Sequence, residues 1–454
     1  MDRAQLYEQG QYSAWPSLLS CLLTQIFVAR EMQIELINTG SELLLGRVLN
    51  THQQWLGKKL ADTGYILSRQ VTVPDTAESI CDAVQAALSR SDLVITTGGL
   101  GPTSDDITRE RIAAQFSKPL QKDEAIAEHI ARFFSQRKRP MPKSVLVQAQ
   151  VPEGALVFNN EYGTAPGLAM TVSLSKSFIS NLQPWLVMLP GPPRELRPMV
   201  ETHMLPFIRQ EFPLKEEFHC CTLRSMGIGE SMVEDRLLDR IRPLMEQGLD
   251  LGFCARTGQV DIRLCGHGSE MPAIIDKAES LIRSEIGKYI YGTNDDSIEK
   301  SVVDKLIAKD QTIAVAESCT GGFLGHHITS IPGASRVFLG GFLTYSNELK
   351  EKMLGVQSET LAKNGAVSED VAIEMAEGAR LNSNADHALS VTGIAGPGGG
   401  TKDKPVGTVW LGLASIGHKP IAIQKYHPYD RETFKKATVN QALELIRRRL
   451  VKNE

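Results

Sequence analysis

Short apolar runs alternate with helix-like segments over the first third of this 454-residue sequence. The runs Ile34–Asn38, Tyr65–Val73 and Leu93–Thr97 predict strands, and the segments Leu43–Leu60 and Ala77–Leu88 predict helices between them. Strands separated by helices are typical of a parallel sheet with helices on its faces. We therefore predict an α/β domain that binds its ligands at the carboxyl ends of the strands.

The third strand leads into a loop, Thr97–Thr108, that is rich in glycine, hydroxyl and carboxylate groups. Backbone N–H groups beside glycines can approach a phosphate or a pterin closely, and carboxylate oxygens suit a divalent cation. The loop has neither the Gly-Lys-Ser/Thr of a P-loop nor a dinucleotide-binding fingerprint. Asp105 and Asp106 could also simply cap the helix that runs to Phe116. The candidate ligand-binding residues are Gly98, Gly99, Gly101, Thr103, Ser104, Asp105, Asp106 and Thr108.

A second strand–turn–helix pattern lies in the last third of the sequence. The run Thr312–Ala316 predicts a strand that leads into Ser318, and Gly321 and Gly322 then open an apolar-periodic segment that predicts a helix. The hydroxyl of Ser318, the thiol of Cys319 and free backbone N–H groups would meet at this turn. Such a turn suits an anion or a carbonyl group under attack.

Between these two regions the pattern becomes α+β. The loop Gly227-Ile228-Gly229-Glu230 is followed by acidic residues, whereas a nucleic-acid-binding G-x-x-G loop is flanked by basic residues. We therefore favour a spacer or dimer-forming role for this region over nucleic-acid binding. The predicted elements are strands Glu217–Ser225, Gly252–Ala255 and Val260–Leu264 and helices Glu230–Leu238 and Met271–Ile286.

Composition argues against several classes of protein. The net charge of −4 and the pI near 6.2 are not those of a dedicated nucleic-acid binder. Seven cysteines without C-x-x-C spacing fit neither a disulfide framework nor a zinc site, and a cytoplasmic location is the simplest expectation. The apolar stretch Trp15–Val28 is interrupted by polar residues and too short to span a bilayer, and no signal-peptide cleavage pattern follows it. We interpret residues 1–31 as an accessory extension.

Ten short motifs, in order along the chain, resemble the CinA (competence/damage-inducible protein A) family over residues 32 to 450. The motifs of the first half are Gly40–Leu44, Gly98–Thr108, Asn160 with Gly163–Gly167, and Leu189–Glu195. Those of the second half are Ser318–Gly322, Tyr345–Asn347 with Lys350, Gly365–Ser368, Thr392–Pro397, Lys404–Val409 and Asp430–Arg431.

The resemblance implies a mixed architecture of two three-layer α/β domains joined by a small KH-like α+β domain. The expected domains are a molybdopterin-binding-like domain with a parallel sheet at 32–212, the KH-like domain at 213–294 and the carboxy-terminal CinA domain at 295–454. For the first domain the resemblance implies a pyrophosphatase that acts on ADP-ribose with Mg²⁺, Mn²⁺ or Co²⁺. Its implied metal ligands are Glu42, Asp75, Asp105 and Asp106. A homodimer without membrane partners is expected.

For the last domain the resemblance implies a cofactor-free amidase that converts nicotinamide mononucleotide to nicotinate mononucleotide. Hydrolysis of a carboxamide needs a nucleophile, a proton shuttle and donors for the oxyanion. The resemblance assigns Ser318 and Lys350 as the dyad, and Lys350 would need a pKa lowered by burial. The ring of Tyr345 could lie against the cationic pyridinium. Oxyanion and phosphate donors are expected from Thr320, Gly321, Gly322, Gly393, Gly396, Thr408 and Arg431.

Several alternatives remain open at the level of sequence. Cys319 is a rival nucleophile, because a thiol at a helix N-terminus can be activated. Lys350 could instead be an exposed residue paired with Glu348 or Glu351, and Tyr345 a buried strand tyrosine. The whole protein could be a non-enzymatic competence or DNA-damage adaptor, or a pterin-binding module.

Overall fold

The computed structural model describes residues 32–173 and 183–451, and the predicted extension at residues 1–31 lies outside the described residues. The chain divides into two compact units at Lys215/Glu216. Both units mix helices with parallel and antiparallel strands, which confirms the predicted α/β class. Among the described residues, no helix is long and apolar enough to cross a membrane.

The first unit is built on a six-stranded sheet. Two further strands, Leu120–Lys122 and Gln150–Pro152, form a separate antiparallel pair. The strands of the unit are β1 (Ile34–Thr39), β2 (Leu67–Val73), β3 (Leu93–Thr97), β4 (Leu120–Lys122), β5 (Gln150–Pro152), β6 (Leu156–Phe158), β7 (Gly167–Thr171) and β8 (Trp185–Leu189). Its helices are α1 (Ser41–Leu44), α2 (Thr51–Ala61), α3 (Ala77–Leu88), α4 (Thr108–Gln115), α5 (Glu124–Gln136), α6 (Pro193–Met199) and α7 (Leu205–Glu211).

The sheet of this unit has the strand order β2-β1-β3-β8-β7-β6. The strands β2, β1, β3 and β8 pair in parallel, but the pairings of β8 with β7 and of β7 with β6 are antiparallel, so the prediction of a parallel sheet is wrong at this side. Antiparallel neighbours need no helical crossover, and none lies between β6 and β7. Successive residues of β1, Leu36 and Ile37, pack into separate cores on the two faces, which makes the unit three-layered.

The predicted helix Leu43–Leu60 is wrong as a single element. It is split into α1 and α2 around Gly46, whose φ of 67° is left-handed and ends a right-handed helix. The helix α2 then starts afresh, with the side chain of Asn50 accepting from the N–H of Gln53 at 3.3 Å. The apolar periodicity of the segment concealed this break.

The second unit contains a four-stranded and a five-stranded sheet. Its strands are β9 (Phe218–Met226), β10 (Asp250–Arg256), β11 (Gln259–His267), β12 (Ile290–Thr293), β13 (Ile313–Glu317), β14 (Phe338–Leu343), β15 (His387–Gly393), β16 (Thr408–Ser415) and β17 (His418–Tyr426). Its helices are α8 (Glu230–Met245), α9 (Met271–Ile286), α10 (Ile298–Ala308), α11 (Phe323–Thr329), α12 (Asn347–Leu354), α13 (Ser358–Asn364), α14 (Glu369–Ser383) and α15 (Arg431–Val451).

The two sheets of the second unit have different architectures. The strand order β10-β11-β9-β12 is antiparallel throughout, with the core formed against α8 and α9. In the order β14-β13-β15-β16-β17 the first three strands pair in parallel, and the pairings of β15 with β16 and of β16 with β17 are antiparallel. Val315 and Ala316 of β13 face separate cores, so this sheet is also covered on both sides.

The predicted middle and carboxy-terminal domains share one compact unit. Met226 and Tyr291, from the four-stranded sheet, pack in the same hydrophobic cluster as the core of the five-stranded sheet. The buried guanidinium of Arg447 on α15 donates to the carbonyls of Lys288 and Ile290. The helix α15 therefore ties the end of the chain to the four-stranded sheet.

Candidate active site

Ser318 lies where three parallel strands end together. Its N–H donates to the carbonyl of Val391 on β15 at 3.0 Å. On the other side, the N–H of Thr344, just beyond β14, donates to the carbonyl of Glu317 at 2.9 Å. The serine is thereby held at the centre of the carboxyl edge of the sheet, which is where open parallel sheets bind ligands.

Lys350 reaches back to this serine from helix α12. The helix starts at Ser346, whose hydroxyl accepts from the N–H of Leu349, and Lys350 follows one turn later. Its Nζ lies 3.2 Å from the Oγ of Ser318 and donates to the carbonyls of Thr344 at 2.8 Å and Tyr345 at 3.2 Å. The alternative of an exposed lysine paired with a glutamate is wrong, since the residue is only 1% exposed.

Burial lowers the pKa of Lys350, because the charged ammonium loses its hydration in this pocket. In the neutral amine, two N–H bonds serve the two carbonyls and the lone pair is left for Ser318. The hydroxyl of Ser318 would then donate to Nζ. This is the arrangement a general base needs before it accepts the proton of a nucleophile.

The buried carboxylate of Glu317 occupies the N-terminus of helix α11. It accepts from the N–H groups of Gly322 and Leu324 at 3.0 Å and of Gly325 at 2.8 Å. The N–H of Gly321 donates to the carbonyl of Ser318. The expectation of free N–H groups at Gly321 and Gly322 is therefore wrong, because the chain supplies its own anion to the helix start.

Thr320 carries the remaining polar groups of this turn, its side-chain hydroxyl and its backbone N–H. Its Oγ1 is fully buried without a partner among the described residues, as is the Oγ1 of Thr344 on the neighbouring loop. No hydrogen bond from the N–H of Thr320 is found within the described residues either. Of the three predicted oxyanion donors, Thr320 is the one whose N–H has no partner among the described residues.

Cys319 points away from this chemistry. Its side chain packs in the hydrophobic core of the five-stranded sheet. Burial raises the pKa of the Cys319 thiol to about 12, so the thiol is protonated at neutral pH. A thiol acts as a nucleophile only as the thiolate, and the geometry therefore favours Ser318 over Cys319.

Tyr345 and Arg431 form an exposed rim beside the dyad. The Tyr345 side chain is 66% exposed, so the alternative of a buried strand tyrosine is wrong. Arg431, the first residue of α15, donates to the carbonyl of Gly396 at 2.8 Å and to the hydroxyl of Tyr345 at 3.4 Å. An arginine held by neutral oxygens keeps its charge available for an anionic ligand.

Two further predicted binding residues lie in the sheet behind this rim. Gly393 is the last residue of β15 and pairs with Val409. Thr408 begins β16 and is 2% exposed, and its backbone carbonyl accepts from the N–H of Ile394. Both residues form the base of the loop that follows β15, and neither residue lies on the exposed rim.

In the first unit, the glycine-rich loop at the end of β3 is held by its own side chains. The hydroxyl oxygen of Thr103 lies 2.5 Å from carboxylate oxygens of both Asp105 and Asp106, so its one hydrogen is shared between them, and the Thr103 N–H also donates to Asp106 at 3.1 Å. A side chain at Gly101 would collide with the carboxylate of Asp106. No side chain caps α4, so the capping role considered for the two aspartates is wrong.

Asp105 is the most accessible carboxylate of this loop. The hydrogen bond from Thr103 lowers the pKa of the exposed Asp105 carboxyl, which is therefore ionised at neutral pH. Gly98 and Gly99, by contrast, have left-handed φ angles and pack against Thr39 and Thr108, so the fold itself requires these glycines.

The four predicted metal ligands do not form one cluster. Among the described residues there is no group of three or more His, Cys, Asp or Glu side chains placed to hold a metal ion. Asp75 accepts instead from the N–H of Ser41 at 2.7 Å, and Glu42 is exposed on the short helix α1. A Mg²⁺ ion is commonly held by only one or two carboxylates together with substrate phosphates. Asp105 and Asp106 could provide those carboxylates.

Comparison with known proteins identifies the family. Three family descriptions match in order: "Probable molybdopterin binding domain" at residues 35–210, "Damage-inducible protein CinA KH domain" at 221–292 and "CinA C-terminal domain" at 295–450. A CinA-like protein of Akkermansia muciniphila is 42% identical over 91% of this chain and 96% of its own length. The chain belongs to the CinA family. A second CinA-like protein, from Kosmotoga olearia, is 41% identical over 92% of this chain and 99% of its own length.

Solved CinA structures match a smaller part of the chain. The competence/damage inducible protein CihA from Agrobacterium tumefaciens is 39% identical and covers 35% of this chain and 94% of its own, with a TM-score of 0.33. None of the names of these relatives states a reaction.

Glu317 was not among the residues predicted for this CinA site, although it accepts three backbone N–H bonds there. It directly precedes Ser318 at the end of an apolar strand, and an acidic residue buried there is a signal that it has partners. The carbonyls that hold Lys350 and Arg431 carry no side-chain signature. Only the folded chain shows that Thr344, Tyr345 and Gly396 supply them.

Proposed function

We propose that the unit Glu216–Glu454 hydrolyses the carboxamide of nicotinamide mononucleotide, giving nicotinate mononucleotide and ammonia. The observation that carries this proposal is the 3.2 Å approach of the Lys350 Nζ to the Ser318 Oγ, with the amine buried and its pKa lowered. A serine beside a desolvated lysine is a nucleophile beside a base, which is the minimum for acyl transfer.

The reaction follows from this geometry in two stages. Lys350 takes the proton of Ser318 as Oγ attacks the carboxamide carbon, and the resulting ammonium then protonates the departing nitrogen, which leaves as ammonia. Water enters, Lys350 removes its proton, and attack on the ester releases the carboxylate and regenerates Ser318. The N–H of Thr320 is the donor that we assign to the oxyanion.

The exposed rim suits the rest of the nucleotide. The ring of Tyr345 can lie against the cationic pyridinium, and Arg431 can pair with the phosphate. These contacts bind and orient the substrate and take no part in the proton transfers.

The test is ammonia release from nicotinamide mononucleotide by the purified chain without added metal. We expect release by the wild type, loss in Ser318→Ala, and retention in Ser330→Ala, a control for an exposed serine at the end of α11. A folded wild type that releases no ammonia would overturn the proposal and favour a ligand-sensing adaptor.

We further propose that the first unit cleaves ADP-ribose at its pyrophosphate with a divalent cation, Mg²⁺, Mn²⁺ or Co²⁺. The ionised, exposed carboxylate of Asp105 beside Asp106 supports this, because both lie in the loop at the carboxyl end of a parallel strand. A bound cation would supply charge neutralisation for the phosphates. The chain's own part is to present the two carboxylates on a loop fixed by Thr103.

The second proposal is tested by AMP formation from ADP-ribose with each of the three cations. We expect Asp105→Asn to lose most of the activity and Asp82→Asn, an exposed aspartate on α3, to keep it. Tight pterin binding at the same loop, with no turnover of ADP-ribose, would replace this proposal with that of a binding module.

A further inference from the structure

Two cysteines face each other across the four-stranded sheet, on strands that carry none of the residues proposed for catalysis. Cys220 on β9 and Cys265 on β11 are directly opposite in the antiparallel register. Side chains at opposed positions lie on the same face with Cβ atoms about 4.5–5.5 Å apart. The two thiols are within hydrogen-bonding contact of each other.

A charged pair extends this row of side chains. On the other side of β11, Asp250 of β10 is directly opposite Cys265 and accepts from its thiol at 3.3 Å. Arg263, two residues before Cys265 and so on the same face, lies in hydrogen-bonding contact with Cys220 and 3.6 Å from the carboxylate of Asp250. The guanidinium thus lies beside both thiols, and the carboxylate of Asp250 lies beside Cys265.

The two thiols differ in access. Cys265 is buried at 3% exposure, whereas Cys220 is half-buried. Its hydrogen bond with Cys220 and its burial raise the pKa of Cys265, so its thiol is protonated at neutral pH. Arg263 interacts with both thiols, so the greater access of Cys220 decides which of them meets a small disulfide first. Cys220 is thereby placed as the attacking thiol and Cys265 as the resolving thiol.

We propose that Cys220 and Cys265 form a thiol–disulfide exchange site that is oxidised reversibly by small-molecule disulfides of the glutathione type. The spacing of an opposed antiparallel pair falls within the range of about 4.4–6.8 Å between Cα atoms that a disulfide bridges. Neither cysteine takes part in the deamidase or pyrophosphatase proposals, so the site stands independently of both.

The exchange balances in two steps. The Cys220 thiolate attacks one sulfur of the small disulfide, the S–S bond breaks, and one small thiolate leaves. Cys265 gives up its proton as it attacks the sulfur of Cys220, and the second small thiolate leaves and takes up that proton. The protein loses two electrons and two thiol protons, and the small disulfide becomes two thiols.

The site is tested by treating the full chain with oxidised glutathione and mapping the products by mass spectrometry. A Cys221→Ser background is used, because Cys221 shares a tryptic peptide with Cys220 but is opposed to Leu264 and contacts Glu279 instead. We expect peptides 216–224 and 264–277 to become linked with the loss of two hydrogen atoms, and dithiothreitol to separate them.

Single variants separate the two roles. In Cys265→Ser we expect a glutathione adduct to accumulate on peptide 216–224, since nothing resolves it. In Cys220→Ser we expect no linked peptides, whereas Cys254→Ser, which removes an exposed cysteine, should leave the link unchanged. The proposal is overturned if wild type forms no link while Cys254 is glutathionylated, or if the link survives in Cys220→Ser.

Discussion

At the residue scale, Lys350 is a buried amine for which no carboxylate partner is found among the described residues. Since burial lowers its pKa, the neutral base is the form that exists above that pKa and is lost as the pH falls through it. We expect kcat for deamidation to rise with pH and then level off. A rate profile from about pH 6 to about pH 10 measures this, in a window below the ordinary lysine value.

The same lysine gives a substitution with a matched control. In Lys350→Arg the guanidinium stays protonated and cannot act as a base, so we expect kcat to fall by about 10³-fold or more at every pH. Lys352→Arg, on the exposed side of the same helix, should leave kcat unchanged. Comparable rates in the two variants would exclude Lys350 as the base.

Cys319 gives the complementary prediction on the nucleophile. With a pKa near 12 its thiol contributes almost no thiolate at neutral pH, and its role is packing. We expect Cys319→Ala to keep kcat within about threefold and to lower the stability by about 1–2 kcal/mol through lost burial. Ammonia release and thermal unfolding measure the two effects. A Cys319→Ala variant as inactive as Ser318→Ala would contradict the assignment.

Arg431 sets the expected preference for a phosphorylated substrate. Replacing it by glutamine removes the charge but keeps polar contact with Gly396 and Tyr345 within reach. We expect KM for nicotinamide mononucleotide to rise by about 10- to 100-fold, the equivalent of one charge-assisted hydrogen bond. The KM for nicotinamide riboside, which has no phosphate, should change little. Equal changes in KM for both substrates would mean that Arg431 does not bind the phosphate and instead supports the structure of the site.

At the scale of elements, the turn between β13 and α11 depends on a carboxylate inside the protein. Glu317 satisfies three N–H groups at the start of α11 and thereby fixes the backbone on which Ser318 sits. The anion site predicted from the glycines is real, but its occupant belongs to the chain. Substrate chemistry takes place beside this helix start.

Glu317→Gln tests the turn. Glutamine has nearly the same shape, but its amide nitrogen cannot accept from a backbone N–H, so at least one buried donor loses its partner. We expect a loss of about 1–3 kcal/mol in stability and a lower kcat, as Ser318 is no longer held in place. Thermal unfolding measures the first effect, with the exposed Glu348→Gln as control. Unchanged unfolding in Glu317→Gln would show that the turn is fixed by other contacts.

Several elements were predicted with their observed bounds. The helix Ala77–Leu88, the strand Leu93–Thr97 and the helix Met271–Ile286 are found as predicted, because in each a clear apolar period ends at turn residues or at a cap. The predicted Leu43–Leu60 failed where a left-handed glycine interrupts a continuing apolar pattern. Local periodicity does not report the sign of φ.

At the scale of the whole molecule, all four predicted amidase side chains lie in one compact unit. Ser318, Tyr345, Lys350 and Arg431 are within Glu216–Glu454, and the chain divides before Glu216. We expect a fragment of residues 216–454 to deamidate nicotinamide mononucleotide with kcat within a few-fold of the full chain. A fragment starting at residue 295 should be less stable, because Met226 and Tyr291 leave the shared core.

Ammonia release and thermal unfolding of the two fragments check this. If the fragment of residues 216–454 folds but is inactive, the first unit supplies something that the amidase needs. If the fragment starting at residue 295 is as stable as the longer one, the packing of Met226 and Tyr291 contributes less to stability than their burial suggests.

The sequence by itself determined the α/β class and the identity of Ser318, Lys350, Tyr345 and Arg431 as candidates. It could do so because apolar periodicity and turn residues are local properties, and because the family motifs stand in order. Only the tertiary structure decided that Lys350 is buried against Ser318, that Glu317 fills the helix start and that Cys220 faces Cys265. Burial, backbone acceptors and strand register arise from segments far apart in the chain, and they alone set which protons are held and which thiols can meet.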